Sequence, residues 1–252
     1  MVIPAKDEAD TIAATVRACR AIPRVNLVLV VDDGSEDDTQ HVARAAGAVV
    51  VRHSVNRGKA SAMETGGSVV AMRDIEGREP RLLLFIDADL GETATACGAL
   101  VEPVASGRVD LAIAALPRQE GAGGHGFVTG LARSAIQKAT GWAPTQPLSG
   151  QRCITREAFN AALPLSRGWG VETGMTIDVL TAGFTVQEIP VNLRHRATAN
   201  DFAGQVHRAG QYRDVLYAVT TRRVRGVRVP REVITRAAVQ QRVGEPYGVS
   251  YD

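Results

Sequence analysis

Cysteine is scarce in this 252-residue chain: Cys19, Cys97 and Cys153 are odd in number, widely spaced and without a Cys-x-x-Cys pair. That argues against a disulfide scaffold and against a zinc site, and the expected setting is reducing and cytoplasmic. Long hydrophobic runs are also missing. Nothing approaches the ~18 apolar residues of a membrane span, and no charged-then-apolar signal leads the chain, so any membrane contact is expected to be peripheral. Excess charge of one sign is absent too: 29 basic against 27 acidic residues leave +2, which gives no global case for nucleic-acid binding. No Gly-x-Gly-x-x-Gly follows an early strand, which removes a dinucleotide-binding oxidoreductase. Pro4–Asp10 contains no glycine, whereas a sugar nucleotidyltransferase would want a Gly-rich, Arg-bearing loop there. Lysine occurs only at Lys6, Lys59 and Lys138, and two of these fall in the motifs below.

What is present is organised around Leu82–Leu90, Leu-Leu-Leu-Phe-Ile-Asp-Ala-Asp-Leu. The run reads as a central strand, buried on both faces of a sheet, that ends on two carboxylates. Shorter strands are expected at Met1–Pro4, Leu27–Val31, Val49–Arg52 and Leu111–Ala115, and a strand or extended segment at Phe184–Leu193. Helices are expected between them: Thr11–Ile22 with Asp10 as N-cap, a helix to Ala46 opened by a Ser35/Asp38 capping box, Ala60–Arg73, and Ala94–Ala105. Further on, helices are expected over Phe127–Ala139, Arg156–Ala162 capped by Thr155, Val171–Ala182, and Phe202–Thr221. This alternation predicts an α/β fold with a parallel, doubly wound sheet. Gly121–Gly126 reads as a loop, and Gly244–Asp252 as a fraying end.

Three of the first four strands end in acidic clusters on one edge of such a sheet: Glu8, then Asp32-Asp33, then Asp87 and Asp89. Ligands bind outside the carboxyl ends of strands in open α/β sheets. Lys59, after a glycine at a helix start, adds a positive charge able to meet phosphate beside free backbone N–H groups. The chemistry is that of a nucleoside diphosphate held by a divalent metal. Each residue read singly has a plainer role: a turn and a cap for Asp33 and Ser35, a solvated lysine, a capping Glu172.

Pro4-Ala-Lys-Asp-Glu8, Val31-Asp-Asp-Gly-Ser-Glu-Asp-Asp-Thr39, Asn56-Arg-Gly-Lys59 and Asp87-Ala-Asp89 resemble, in order and spacing, the motifs of GT-A fold nucleotide-sugar glycosyltransferases. Gln146-Pro-Leu-Ser-Gly150, Gly168-Trp-Gly-Val-Glu-Thr-Gly174 and Val191-Asn-Leu193 are most similar to the glucosyl-3-phosphoglycerate synthases and related retaining transferases. The resemblance implies a GT-A (Rossmann-like), mostly parallel central sheet flanked by helices, with a C-terminal helical extension. It implies one catalytic domain over residues 1–221, with a nucleotide-sugar half (1–115) and an acceptor half (116–221), followed by a basic extension over 222–252.

The resemblance further implies roles for named residues. Asp33 would accept from the base, with Pro4, Ala5 and Glu8 lining its pocket. Lys59 and Arg196 would meet the diphosphate, Asp87 and Ala88 the ribose, and Asp89 the Mg²⁺ or Mn²⁺ ion. Glu172 would bind sugar hydroxyls; Asp89, Glu172 and Lys59 form the catalytic set. The synthase pattern places a metal histidine five residues beyond Leu193, where this chain has Thr198. His195 is therefore the expected residue at the third metal position, ahead of His207 on its helix and His125 in the glycine loop. The reaction implied moves a sugar, glucose by resemblance, from a UDP-sugar to a small anionic acceptor such as 3-phosphoglycerate, held by Ser149, Gly150, Arg152 and Arg194. Two alternatives stay open. One is a polyprenyl-phosphate transferase whose Tyr212, Leu216, Tyr217 and arginines from Arg222 meet a membrane surface; the other is a catalytically degenerate nucleotide-binding protein. A homodimer is left open.

Overall fold

The computed structural model describes residues 1–116, 126–193, 202–234 and 244–251, with the side chains of 202–208 excepted. Seven strands among them form one sheet in the order β3-β2-β1-β4-β6-β5-β7. The strands are β1 Val2–Ala5, β2 Leu29–Asp32, β3 Val49–Arg52, β4 Leu83–Phe85, β5 Leu111–Ala115, β6 Arg152–Ile154 and β7 Val186–Pro190. Neighbouring strands pair in parallel except at β6, which runs antiparallel to both β4 and β5. The carboxyl ends of six strands therefore share one edge, and the chain segment entering β6 reaches that same edge.

Successive residues along the strands bury on opposite faces, as a period of two requires. Val2, Leu29, Val31, Leu83, Phe85, Leu111 and Ile113 face one core with α3 (Lys59–Ala71), α6 (Arg156–Ala161) and α7 (Val171–Thr181). Ile3, Val30, Leu84, Ile86 and Ala112 face the other, with α1 (Ile12–Arg20), α2 (Thr39–Ala45) and the 3₁₀ stretch Gly91–Leu100. Each fully buried strand side chain contributes about 1.5–3 kcal/mol. A run that is apolar throughout therefore belongs in the middle of the sheet, where β4 lies.

Several local expectations give way to loop chemistry. The run Leu82–Leu90 contributes only three residues to β4; Ile86 N–H still donates to the Val2 carbonyl (3.2 Å), after which the chain leaves the sheet. Asp10 does not cap α1, whose N-cap is Thr11 without a side-chain bond. The Ser35/Asp38 capping box is not formed either, and α2 begins at Thr39. Ser35 Oγ instead accepts from Asp7 N–H (2.9 Å), Thr39 Oγ1 from Glu8 N–H (2.8 Å) and Asp37 Oδ2 from Ala9 N–H (3.0 Å). These oxygens satisfy the backbone of the loop after β1 rather than their own helix, because that loop has no sheet partner for its N–H groups. Residues 94–105 split into the 3₁₀ stretch and a short α4 (Val101–Ala105). Thr155 does cap α6, accepting from Ala158 N–H (3.3 Å).

The chain after β5 resumes in α5 (Gly126–Thr140), and α8 (Phe202–Val224) packs across α5 and α7. Gly170 and Gly174 permit this contact: a Cβ on Gly170 would lie 2.6 Å from Ala218 Cβ, and one on Gly174 2.7 Å from the Arg222 guanidinium carbon. α8 runs through the boundary expected after residue 221. Arg222 is buried, and its guanidinium grips Asp178 through both carboxylate oxygens, with Nε at 2.8 Å from Oδ1. Desolvation pushes the Asp178 carboxyl up against the pull of Arg222. The described residues beyond it also differ from a fraying extension: Val229, Tyr247 and Val249 are buried in the first core. Tyr247 bridges to Val186, stacks on Trp142 with ring centroids 6.4 Å apart, and donates its hydroxyl to the Thr140 carbonyl (2.7 Å).

Candidate active site

The registers Ala5↔Asp32 and Asp32↔Arg52 align the ends of the first three strands. Asp33 follows β2 directly, its N–H donating to the Ala5 carbonyl (2.8 Å), so Pro4 and Ala5 lie beside it. Its carboxylate is buried and occupied within the chain. Oδ2 accepts from Gly58 N–H (2.7 Å), while Oδ1 accepts from Arg57 N–H (2.9 Å) and lies 2.6 Å from His53 Nδ1. His53 Nε2 in turn lies 2.9 Å from Thr65 Oγ1. Asp33 therefore sets the loop that delivers Lys59 to the first position of α3, a role the sequence reading did not assign to it.

Lys59 bridges two carboxylates. Its Nζ lies 2.7 Å from Asp87 Oδ1 and 2.9 Å from Glu172 Oε1. Glu172 arrives from the first turn of α7 and is buried; Asp87 lies two residues past the end of β4. Burial alone would lower the Lys59 ammonium, but Asp87 and then Glu172 outweigh it and hold the group above its ordinary value. Gln151, buried at the entry to β6, donates from Nε2 to Asp87 Oδ2 (2.6 Å). Gly150 completes the contact: a Cβ there would lie 2.7 Å from Lys59 Nζ and 2.8 Å from both Asp87 oxygens. Gly150→Ala is therefore expected to displace the Lys59–Asp87 pair, whose ends are flexible, rather than unfold the chain. Turnover at this site should fall on the order of 10²-fold, with a melting shift below about 3 °C. Unchanged turnover would show that the pair's geometry is immaterial.

Asp89 differs from its neighbour. Among the described residues its carboxylate takes no hydrogen bond and no ion pair, although it is half-buried. Ala88 between them is buried, and its carbonyl accepts from Thr15 Oγ1 (2.8 Å). Glu8 sits in the loop after β1, its Oε2 accepting from Thr11 Oγ1 (2.7 Å).

One expected acceptor residue is corrected. Arg152 is fully buried beneath the edge. Its guanidinium donates to the carbonyls of Ser149 (2.7 Å), Glu172 (3.0 Å) and Pro147 (3.2 Å) and to Thr176 Oγ1 (2.8 Å). Burial pulls it down to about 10, with Glu172, Glu188 and Asp87 opposing. It clamps the Pro147–Ser149 turn to α7 with four of its five N–H donors, and at this depth it does not reach an acceptor. Ser149 is also buried, its hydroxyl 3.4 Å from Gln151 Oε1. Arg194, His195, Arg196 and His125 lie outside the described residues, as does the side chain of His207. Among the described residues no group of three or more His, Cys, Asp or Glu side chains is placed to hold a metal.

The sequence reading missed Gln151 and His53. Neither carries a signal in spacing: Gln151 reads as a strand residue and His53 as the residue after a strand. Only the antiparallel entry of β6, which places Gln151 beside Asp87, gives it a partner.

A switch-edge site of carboxylates, a lysine at a helix start and a glycine held against them defines a GT-A type transferase of nucleotide-activated sugars. Residues 1–160 match the glycosyl transferase family 2 profile, and the chain belongs to that family. Among relatives, a glucosyl-3-phosphoglycerate synthase of Mycobacterium tuberculosis is 31% identical over 219 residues, 79% of this chain and 66% of its own. That of Mycolicibacterium paratuberculosis is 30% identical over 71% of this chain and 58% of its own. In sequence the match thus spans 58% to 66% of these synthases' own length. An uncharacterised protein of Methanocaldococcus jannaschii is 27% identical over 76% of this chain and 79% of its own. The structure of the M. tuberculosis synthase with Mg²⁺ and UDP has a TM-score of 0.70 at 25% identity, covering 88% of this chain and 77% of that one. The same synthase with Mn²⁺, UDP-glucose and phosphoglyceric acid gives 0.69 at 26% identity, covering 88% and 78%.

Proposed function

We propose that the chain is a metal-dependent glucosyltransferase that moves glucose from UDP-glucose to a small anionic acceptor of the phosphoglycerate kind. The observation that carries this reading is the bridge of Lys59 between Asp87 and Glu172, with Asp89 left open beside it. A lysine already neutralised by two carboxylates is positioned to exchange one of them for a diphosphate oxygen. The first turn of α3, which Lys59 opens, would offer free backbone N–H groups to the diphosphate. Glu172, anchored at the start of α7, accepts from sugar hydroxyls, and Pro4, Ala5, Glu8 and the Asp33 loop form the walls for the base. Gly150, without a Cβ, lets Lys59 and Asp87 keep this arrangement.

The donor set suits Mg²⁺ or Mn²⁺. Hard carboxylate oxygens from Asp89, with Asp87 adjacent, match ions that bind one or two carboxylates together with phosphate oxygens. Such an ion would supply Lewis-acid neutralisation of the departing UDP. Arg196 and His195 complete the proposed shell. The rest of the rate comes from position and electrostatics, since Lys59 faces the charge that develops as the anomeric bond breaks.

The test is a transfer screen of several nucleotide sugars against 3-phosphoglycerate and a short polyprenyl phosphate, with and without Mn²⁺. Glucosylated phosphoglycerate from UDP-glucose is expected only with metal. Transfer to the polyprenyl phosphate alone would overturn the acceptor, and absence of turnover with every pair would leave a nucleotide-binding protein.

A further inference from the structure

The outer face of α8 is not used by the site. Over residues 209–224, Val215, Ala218 and Arg222 turn inward. On the opposite side Tyr212, Leu216, Tyr217 and Val224 stand exposed, Tyr217 at 69% and Val224 at 82%. At about 100° per residue these four fall within an arc of about 140°. Interleaved with them, or following in the next turn, are Arg213, Arg223, Arg225 and Arg228, all exposed. Acidic residues are few here: Asp214 pairs with Arg213 (3.0 Å) and accepts from Trp169 N–H (3.3 Å), and Glu232 lies beyond. Trp169 is itself 43% exposed beside this face.

We propose that this face of α8 docks on the surface of an anionic lipid bilayer. Aromatic and aliphatic side chains at the headgroup level, flanked by arginines whose stems lie along them, are the chemistry of an interfacial helix. Two copies of the chain meeting here would oppose arginine to arginine. A nucleic acid would find phosphate partners and aromatic faces for its bases, but it would leave the aliphatic Leu216 and Val224 of the same face without an apolar partner. No helix among the described residues is long and apolar enough to cross a membrane, so the contact is peripheral. α8 also packs on Gly168–Gly170, the turn that leads into Glu172. The docked face therefore lies on the outer side of the acceptor half. The inference does not rest on the acceptor proposed above.

The experiment is vesicle flotation of the full chain with phosphatidylcholine alone and with about 30 mol% phosphatidylglycerol added, at low and high salt. Binding is expected only to the anionic vesicles and to weaken with salt. Each arginine near such a surface is worth about fivefold in partition, so Arg223→Gln/Arg225→Gln/Arg228→Gln should weaken binding on the order of 100-fold. Tyr217→Ser/Val224→Ser should weaken it about tenfold or more. All five side chains are exposed, and circular dichroism and melting should match the wild type in both variants. Three results would overturn the proposal: no binding to anionic vesicles, binding equal on the two lipid compositions, or binding unchanged in both variants. So would a dimer that Tyr217→Ser/Val224→Ser dissociates, or RNA retention lost in the arginine variant while vesicles stay unbound.

Discussion

Asp89→Ala is expected to reduce metal-dependent UDP release by about 10³-fold or more while leaving thermal unfolding within about 2 °C of the wild type. The two halves of that expectation come from one observation. Among the described residues the Asp89 carboxylate holds nothing: no backbone N–H, no side-chain donor and no cation pairs with it. Removing it orphans no partner, so none of the usual causes of large destabilisation applies. On the proposed reading, this half-buried carboxylate, without a partner among the described residues, is available to the divalent ion. Metal titration of UDP release in the variant, alongside calorimetry, separates the outcomes. Full metal-dependent activity would sink the assignment, and a large loss of stability would make Asp89 structural.

Lys59→Met should have a different signature, because Lys59 is bonded on two sides. Without it Asp87 and Glu172 face each other with no cation between them, and like charges at close range disfavour ionisation of both. Turnover should fall on the order of 10²–10³-fold. The fold should lose about 1–3 kcal/mol at neutral pH, less than a fully buried pair would, since the Lys59 and Asp87 side chains keep 29% and 30% of their surface in water. The pH dependence has a definite sign. In the wild type the ammonium is held above its ordinary value of 10.5, so its contribution is complete below that pH and is lost only as pH rises through the folded value. The difference between wild type and variant should therefore be flat from about pH 6 to 9 and shrink below about pH 5, as a carboxylate of the variant takes up a proton. Denaturant midpoints across that range check it; a gap that widens on acidification would contradict the bridging role.

How much of this was legible in the sequence depends on which interactions are local. The apolar run ending at Asp87 was readable as the central strand because burial on both faces leaves no polar position, and β4 does lie between β1 and β6. Lys59, Asp87 and Glu172 were singled out, and in the structure Lys59 joins the two carboxylates. What the sequence could not show was where polar atoms find partners far along the chain. Ser35 looked like a helix cap because that is its commonest local use, yet its oxygen takes the Asp7 N–H, 28 residues away. Arg152 looked like an acceptor ligand because it follows the Ser149-Gly150 turn; only the antiparallel direction of β6 turns it under the edge and brings Gln151 onto Asp87. Composition misled at the C-terminus as well. The arginines there suggested a basic extension outside the catalytic domain, whereas Arg222 is the inner partner of Asp178, and Val229 and Tyr247 belong to the core.

The most direct test of the central claim, that this edge holds a nucleoside diphosphate through Lys59 and a divalent ion on Asp89, is calorimetric titration of UDP into the full chain. The titration is run with Mn²⁺ and again with chelator. Binding with Mn²⁺ should be on the order of 100-fold tighter than without it. An affinity for UDP that is the same with and without the ion would contradict the account.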